Sequence, residues 1–100
     1  MRSILIAAAI AAAGSAIAET RVARTGDDHV KLMEAPCPYA SVLRFIPEEK
    51  RDLFRKADTR IGGERFFACW VLIDDQVFLI YEDGDKGAVP VSDFKLDDQV

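Results

Sequence analysis

Two apolar runs in the second half of the chain dominate its hydrophobic pattern. The first, FFACWVLI over 66–73, is apolar on both faces of a strand, and the second, VFLIY over 77–81, follows after Asp74-Asp75. Because side chains alternate between the two faces of a strand, the pattern predicts a β-hairpin that turns at the aspartates. A strand with two apolar faces is covered on both sides or presents one face to a partner.

A third strand follows a second acidic turn, EDGDKG over 82–87. The next residues, 88–91, include Pro90, which marks an edge strand because proline cannot donate to the hydrogen-bond ladder. Ser92 can cap a final turn that docks Phe94 onto the core. The carboxyl-terminal part of the chain therefore reads as a three-stranded meander.

Upstream of this meander the pattern predicts one strand and a helical region. Residues 29–34, HVKLME, alternate as a first strand, and Pro36 and Pro38 then force the chain off the sheet. The segment PEEKRDLFRKA, over 47–57, has the apolar spacing and charge order of an amphipathic helix of about two and a half turns. Gly62-Gly63 then predicts a bend or bulge where the chain returns to the sheet.

These elements predict an α+β fold. Its sheet is small and antiparallel, with about four strands, and a helical excursion follows strand one. The predicted domain spans 29–96, after a flexible lead-in over 19–28 and before a tail over 97–100.

The amino-terminal 18 residues have the pattern of a secretory signal peptide. One arginine precedes an apolar run over 4–13, and Ala-Ile-Ala ends the segment, which predicts cleavage before Glu19. The run falls short of the roughly 20 apolar residues of a transmembrane helix. The pattern therefore predicts a periplasmic or secreted protein without stable membrane insertion after cleavage.

The two cysteines, Cys37 and Cys69, are the only ones in the chain. An even cysteine number in a small exported protein predicts a disulfide. Its loop of about 33 residues would stabilise the fold by roughly 3.5 to 4 kcal/mol on the loop-entropy model. Metal ligation or a catalytic thiol would need partner residues that the sequence does not supply.

The charge pattern indicates where a partner would bind. The formal net charge is −4, and the two acidic turns carry much of the negative charge, so they would attract a basic protein surface. Asp83-Gly84-Asp85 supplies only the start of a calcium loop, and ordinary turn chemistry accounts for it. The candidate partner-binding residues are Asp74, Asp75, Trp70, Tyr81, Glu82, Asp83 and Asp85.

Other chemistries find little support. His29, the only histidine, lacks zinc co-ligands and a nucleophile for a triad, so the sequence predicts neither a metal nor a cofactor. Glu64 and Glu82 leave open a small carboxylate-based hydrolase. Acidic residues interleave with the basic ones over 48–65, which disfavours nucleic-acid binding.

The motifs ACW (68–70), VFLIYEDGD (77–85) and the stretch from Val89-Pro90 to Phe94 resemble a group of short, signal-peptide-bearing proteins of proteobacterial genomes and prophages. The resemblance covers the last third of the chain and, more loosely, the Pro-Cys-Pro corner. It carries over no catalytic residue. What it implies is export for host manipulation, superinfection exclusion or enzyme inhibition.

The leading functional expectation is a secreted binding module that inhibits or masks an envelope protein by direct contact. The alternative is a structural or accessory periplasmic protein without a discrete active site, for which a homodimer through the edge strand is one arrangement. The carboxylate-based hydrolase is third.

Overall fold

In the computed structural model, residues 20–96 are described, and across them seven strands form one antiparallel sheet in the order β6-β5-β4-β3-β2-β1-β7. The signal peptide predicted over 1–18 and the tail predicted over 97–100 lie outside the described residues. The strands are β1 (Arg21–Thr25), β2 (Asp28–Pro36), β3 (Arg55–Ile61), β4 (Glu64–Ile73), β5 (Gln76–Tyr81), β6 (Lys86–Pro90) and β7 (Lys95–Leu96). The short helical segments are α1 (Ala40–Leu43) and the 3₁₀ turns η1 (Glu48–Leu53) and η2 (Val91–Asp93).

The sheet curls into an open half-barrel. Ala23 of β1 and Val89 of β6 are far apart in the strand order, yet they line the same cavity. We call the face that carries these two residues the inner face. Its core contains the buried residues Leu32, Ala57, Ala68, Val77, Leu79 and Phe94.

The excursion between β2 and β3 covers part of the opposite, outer face. Val42 and Ile46 of this excursion are buried against Cys69 of β4. The disulfide joins Cys37, the first residue after β2, to Cys69, with 5.6 Å between the two Cα atoms. The predicted disulfide is therefore confirmed, and it fastens the excursion to the middle of the sheet.

The predicted α+β class is wrong, because the chain is mostly antiparallel sheet and only 17% helical. The segment over 47–57, expected to be an amphipathic helix, divides into the 3₁₀ turn η1 and the start of β3. Leu53, which the helix would bury, is 62% exposed. Ala57 and Thr59 are buried at a spacing of two, and the Thr59 hydroxyl donates a hydrogen bond to the Phe66 carbonyl at 3.0 Å. Strand pairing therefore outweighs the local helical pattern, since short helices are marginal without packing.

The sheet is also larger than predicted, because β1, β3 and β7 join the expected β2, β4, β5 and β6. The segment over 19–28, expected to be a flexible lead-in, contains β1 and the turn at Gly26-Asp27 that pairs Thr25 with Asp28. Gly26 has φ +62°, a conformation that glycine adopts without steric cost. A two-residue turn of this kind closes a β-hairpin.

Several local predictions are confirmed. The chain turns at Asp74-Asp75 between β4 and β5, β6 is an edge strand, and Phe94 is buried in the core. Gly62-Gly63 forms the tight β3–β4 turn, with φ +62° and +82°, and the expected bend is thus a hairpin turn. No helix within residues 20–96 is long and apolar enough to cross a membrane.

Candidate binding surfaces of the curled sheet

The two acidic turns lie at opposite ends of β5 and do not form one patch. Asp74 and Asp75 precede β5, whereas Glu82, Asp83 and Asp85 follow it. Because β5 has six residues and a strand rises about 3.4 Å per residue, the turns are roughly 20 Å apart. A single partner surface on both turns would have to span the length of the sheet.

The carboxylates of the β5–β6 turn stabilise the turn itself. Asp83 Oδ1 accepts a hydrogen bond from the Asp85 amide at 3.0 Å, and Glu82 Oε1 accepts one from the Phe67 amide at 2.8 Å. The Gly84 amide donates to the Tyr81 carbonyl at 2.9 Å. Within the described part of the chain no three acidic, histidine or cysteine side chains are grouped to hold a metal ion.

Trp70 lies on the inner face and belongs to the core. It packs against the buried cluster, and its indole N–H donates a hydrogen bond to the Met33 carbonyl at 3.0 Å. The ring is thus held by β2 and is not a free platform for a partner. Trp70 also borders a small cavity of about 160 Å³, whereas Tyr81, the other predicted partner-binding aromatic, borders a much larger one.

Tyr81 stands at the end of β5 in the wall of a cavity of about 700 Å³. This cavity, the inner cleft, lies where the two ends of the sheet approach each other. Its lining includes the apolar residues Ala23, Val30, Ile61 and Val89. Burial, and then the nearby Asp83 carboxylate, raise the pKa of the Tyr81 phenol, so the phenol stays protonated and able to donate a hydrogen bond at neutral pH.

A side lobe of about 300 Å³ extends the inner cleft toward the β5–β6 turn. The lobe shares Ile61 and Tyr81 with the cleft and is also lined by Asp83 and Asp85. The structure therefore brings together three of the predicted partner-binding residues, Tyr81, Asp83 and Asp85. Asp74, Asp75, Trp70 and Glu82 lie outside both cavities.

The two glutamates proposed as a hydrolase pair do not converge. Glu64 is opposite Ile61 on the inner face. Glu82, the residue after β5, is opposite Phe67 of β4, because its amide donates a hydrogen bond to the Phe67 carbonyl. The adjacent residue Ala68 is buried on the inner face. Since side chains alternate along a strand, Phe67 and Glu82 lie on the outer face. Acid and base catalysis at a glycosidic bond needs two carboxyl groups on either side of one bond, and this arrangement does not provide them.

A feature missed by the sequence analysis is a line of basic residues across the outer face. Arg24 is directly opposite His29, His29 is opposite Arg60, and Arg60 is opposite Arg65. We call these four residues the basic row. It crosses β1, β2, β3 and β4, and two of those strands were absent from the predicted fold. The signal was present in the pairing of basic residues around the Gly26-Asp27 and Gly62-Gly63 turns.

A small polar cavity of about 190 Å³ lies along the basic row. Its lining residues are His29, Lys31, Asp58, Thr59, Arg60 and Arg65. Burial, followed by the charges of Arg24, Lys31 and Arg60, lowers the pKa of His29, whereas Asp28 opposes the shift.

Asp58 is the carboxylate within this cavity, and its two oxygens have partners. Oδ1 accepts a hydrogen bond from the Tyr39 hydroxyl at 2.7 Å, and Oδ2 is 3.6 Å from Nη2 of Arg65. The Tyr39 ring stacks on Phe67 with 4.5 Å between ring centroids. The excursion thus contacts the edge of the basic row.

No family model, curated protein or solved structure matches this chain. The inner cleft and the basic row are therefore interpreted from their own chemistry.

Proposed function

We propose that this protein is a small binding module of the bacterial envelope, periplasmic or secreted, that acts by contact with another protein. The disulfide supports an oxidising compartment, where such bonds persist. The partner segment would lie in the inner cleft with a basic side chain directed into the side lobe. Because that segment of the partner would be covered by the cleft, the partner would be masked or inhibited.

The observation that carries this proposal is the inner cleft itself. Its volume of about 700 Å³ falls in the range of about 300 to 1,000 Å³ that is typical of binding pockets. Apolar residues of β1, β2 and β6 line it together with polar and charged residues, which include Tyr81, Ser92, Asp93, Arg24, His29 and Lys95. An apolar lining with a few polar groups is the usual composition of a binding site.

Charge favours a basic partner at one end of the cleft. Asp83 and Asp85 line the side lobe, where Lys86 is the basic residue. An arginine or lysine of the partner would find two carboxylates there, and complementary charge accelerates and orients association. Asp74 and Asp75, at the other end of β5, take no part in this arrangement.

The test is a comparison of two charge-matched variants as bait. Asp83→Asn/Asp85→Asn alters the side lobe, and Asp74→Asn/Asp75→Asn makes the same charge change at the far end of β5. Asparagine keeps the side-chain oxygen that caps the turn and tolerates the positive φ of Asp74, 57°. We expect a partner from periplasmic extract to be retained by the native chain and by the Asp74/Asp75 variant, and lost by the Asp83/Asp85 variant.

The captured protein, once purified, should then be titrated against the labelled module by NMR. Amide shifts confined to β1, the end of β5 and β6 would support occupation of the inner cleft. Loss of capture with the Asp74/Asp75 variant alone, or shifts confined to the outer face, would contradict the proposal.

A structural or accessory role is the second candidate, and the exposed edge of β6 favours it. In the described sheet β6 pairs with β5 on one side and has no strand on the other, so its free backbone groups can pair with a second copy. Light scattering distinguishes the two: a stable dimer that captures no partner would favour the accessory role.

A further inference from the structure

We propose that the basic row, together with Lys31, is a binding site for phosphate groups on the outer face. Arg24 and His29 also border the inner cleft, but the polar cavity along the row is lined mainly by Lys31, Asp58, Arg60 and Arg65. The site takes a ligand of the opposite charge from the one proposed for the side lobe.

The register places three basic pairs side by side. Adjacent strands are about 4.8 Å apart, so the row from Arg24 to Arg65 spans roughly 14 Å. Like charges directly opposite each other on neighbouring strands destabilise a sheet. The pair of Arg60 with Arg65 is arranged in this way. A bound anion would relieve the repulsion.

Within residues 20–96, Asp58 and Asp28 offset only part of the charge of the row. Asp58 is engaged by Tyr39 and Arg65. The Asp28 carboxylate accepts a hydrogen bond from the Gly62 amide at 3.0 Å, and Asp28 lies on the inner face because it is two residues from Val30. Among the described residues the three arginines of the row outnumber these two carboxylates, so the basic charge exceeds the acidic charge there, although the whole chain has a net charge of −4.

The cavity along the row offers both space and donors. Its volume of about 190 Å³ equals that of roughly six water molecules at about 30 Å³ each, which accommodates a tetrahedral oxyanion. The Arg60 guanidinium donates one hydrogen bond to the Gly63 carbonyl at 3.4 Å, which leaves further N–H donors of its planar group for a ligand. Arginine is the preferred residue for planar recognition of phosphate.

His29 provides a built-in reporter because it is the only histidine. Burial, and then the charges of Arg24, Lys31 and Arg60, disfavour its protonated form, and Asp28 favours it; Asp58 and Arg65 line the same cavity. A phosphate in this cavity would bring negative charge close to the imidazole. Binding should therefore raise the pKa of His29 and add a proton to the complex at slightly acidic pH.

The first experiment titrates the full chain, without any histidine tag, with sodium tripolyphosphate while NMR follows the imidazole of His29. We expect saturable amide shifts around the basic row and an upward shift of the His29 pKa of about half a unit or more. Arg60→Gln should weaken binding roughly tenfold. Lys50→Gln removes the same charge from exposed η1, away from the row, and should leave the affinity within a factor of about two.

Vesicles identify the source of the phosphate. Phosphatidylglycerol mixed with phosphatidylcholine presents phosphate with net negative charge at a bilayer, and pure phosphatidylcholine is the neutral control. Co-sedimentation with the mixed vesicles that Arg60→Gln abolishes would assign a lipid surface, whereas binding of tripolyphosphate alone would assign a soluble ligand. Both results support the site.

Two results would overturn the inference. One is that neither probe binds or shifts the His29 resonance. The other is that Arg60→Gln and Lys50→Gln weaken binding equally, which would show general attraction to positive charge and no site. Both variants retain Asp83 and Asp85, so capture of a protein partner through the inner cleft is tested independently.

Discussion

The Phe45 ring lies directly against the backbone of Gly84, so close that a Cβ atom added at this glycine would be 3.2 Å from two ring carbons. Gly84 also has φ +89°, a conformation that L side chains rarely adopt. The Arg44 guanidinium also lies over the Phe45 ring, 4.5 Å from its centroid. The excursion and the β5–β6 turn therefore fit together at a position where only glycine is free of strain.

Gly84→Ala should lower the free energy of unfolding by roughly 1 to 2 kcal/mol, because the methyl group meets both the unfavourable φ and the Phe45 ring. Urea unfolding measures the change. Gly26→Ala is the control, since Gly26 has φ +62° and no atom within 4 Å of an added Cβ. Equal losses for the two variants would show that the Phe45 contact contributes nothing.

Much of the sheet could be predicted from the sequence because its most apolar strands alternate clearly. The β4–β5 hairpin, edge strand β6 and buried Phe94 all follow from residues whose local pattern agrees with their final environment. The strand β3 does not, since its sequence RKADTRI is mostly polar and buries only Ala57 and Thr59. Its place in the sheet is decided by pairing with β2 and β4, which local periodicity does not reveal.

The candidate surfaces were harder to predict for the same reason. Tyr81, Asp83 and Asp85 are close in the chain and stay close in the fold, so the sequence identified them together. The inner cleft depends on the curl of the sheet, which brings Ala23 near Val89. The basic row depends on the register of β1 and β3, and a shift of one residue would have placed Arg60 on the other face.

Removal of the disulfide should lower the free energy of unfolding by about 3 to 4 kcal/mol. Cys37 and Cys69 are 32 residues apart in the sequence, so their bond closes a long loop. The variant Cys37→Ala/Cys69→Ala, compared with the oxidised chain in urea, measures this cost. Cys69 is fully buried beneath the excursion, so the alanine at 69 also removes some packing. Free thiols detected on the native protein after export would contradict the assigned bond.

Trp70→Phe should reduce stability by roughly 1 to 2 kcal/mol, since the Met33 carbonyl loses the indole N–H as its hydrogen-bond donor. Capture of a protein partner should remain unchanged, because Trp70 is outside the inner cleft and its side lobe. Thermal unfolding and the bait experiment give the two readings. A variant of native stability that fails to capture the partner would return Trp70 to the binding surface.

Ionisation of the Tyr39 phenol should make the protein less stable in strong alkali. Burial, and then the hydrogen bond to Asp58, raise the pKa of Tyr39 from 10.0 to about 12. The folded state therefore holds this proton where the unfolded state has released it, and its contribution to stability is complete below pH 10 and lost as the pH rises toward 12. Tyr39→Phe should flatten this decline in urea unfolding measured from pH 9 upward. An identical decline in the variant would assign it to other groups.

His29 gives a prediction about the basic row that needs no ligand. Its pKa lies below the usual 6.5 because of burial and then the charge of Arg24, which is directly across from it on β1. Arg24→Gln should therefore raise the pKa of His29, and Asp28→Asn should lower it further. NMR titration of the single imidazole measures both changes, with Lys50→Gln as the charge-matched control.

The same shift links the basic row to stability in mild acid. The folded state binds fewer protons at His29 than the unfolded state does. The contribution of neutral His29 to the free energy of unfolding is therefore present above pH 6.5 and declines as the pH falls through this value. Arg24→Gln should reduce that decline, because the pKa moves back toward 6.5. A high salt concentration should act in the same direction by screening the exposed arginine. If Arg24→Gln left both the pKa and the acid slope unchanged, Arg24 would have no electrostatic coupling to His29, and burial together with Lys31 and Arg60 would account for the shift.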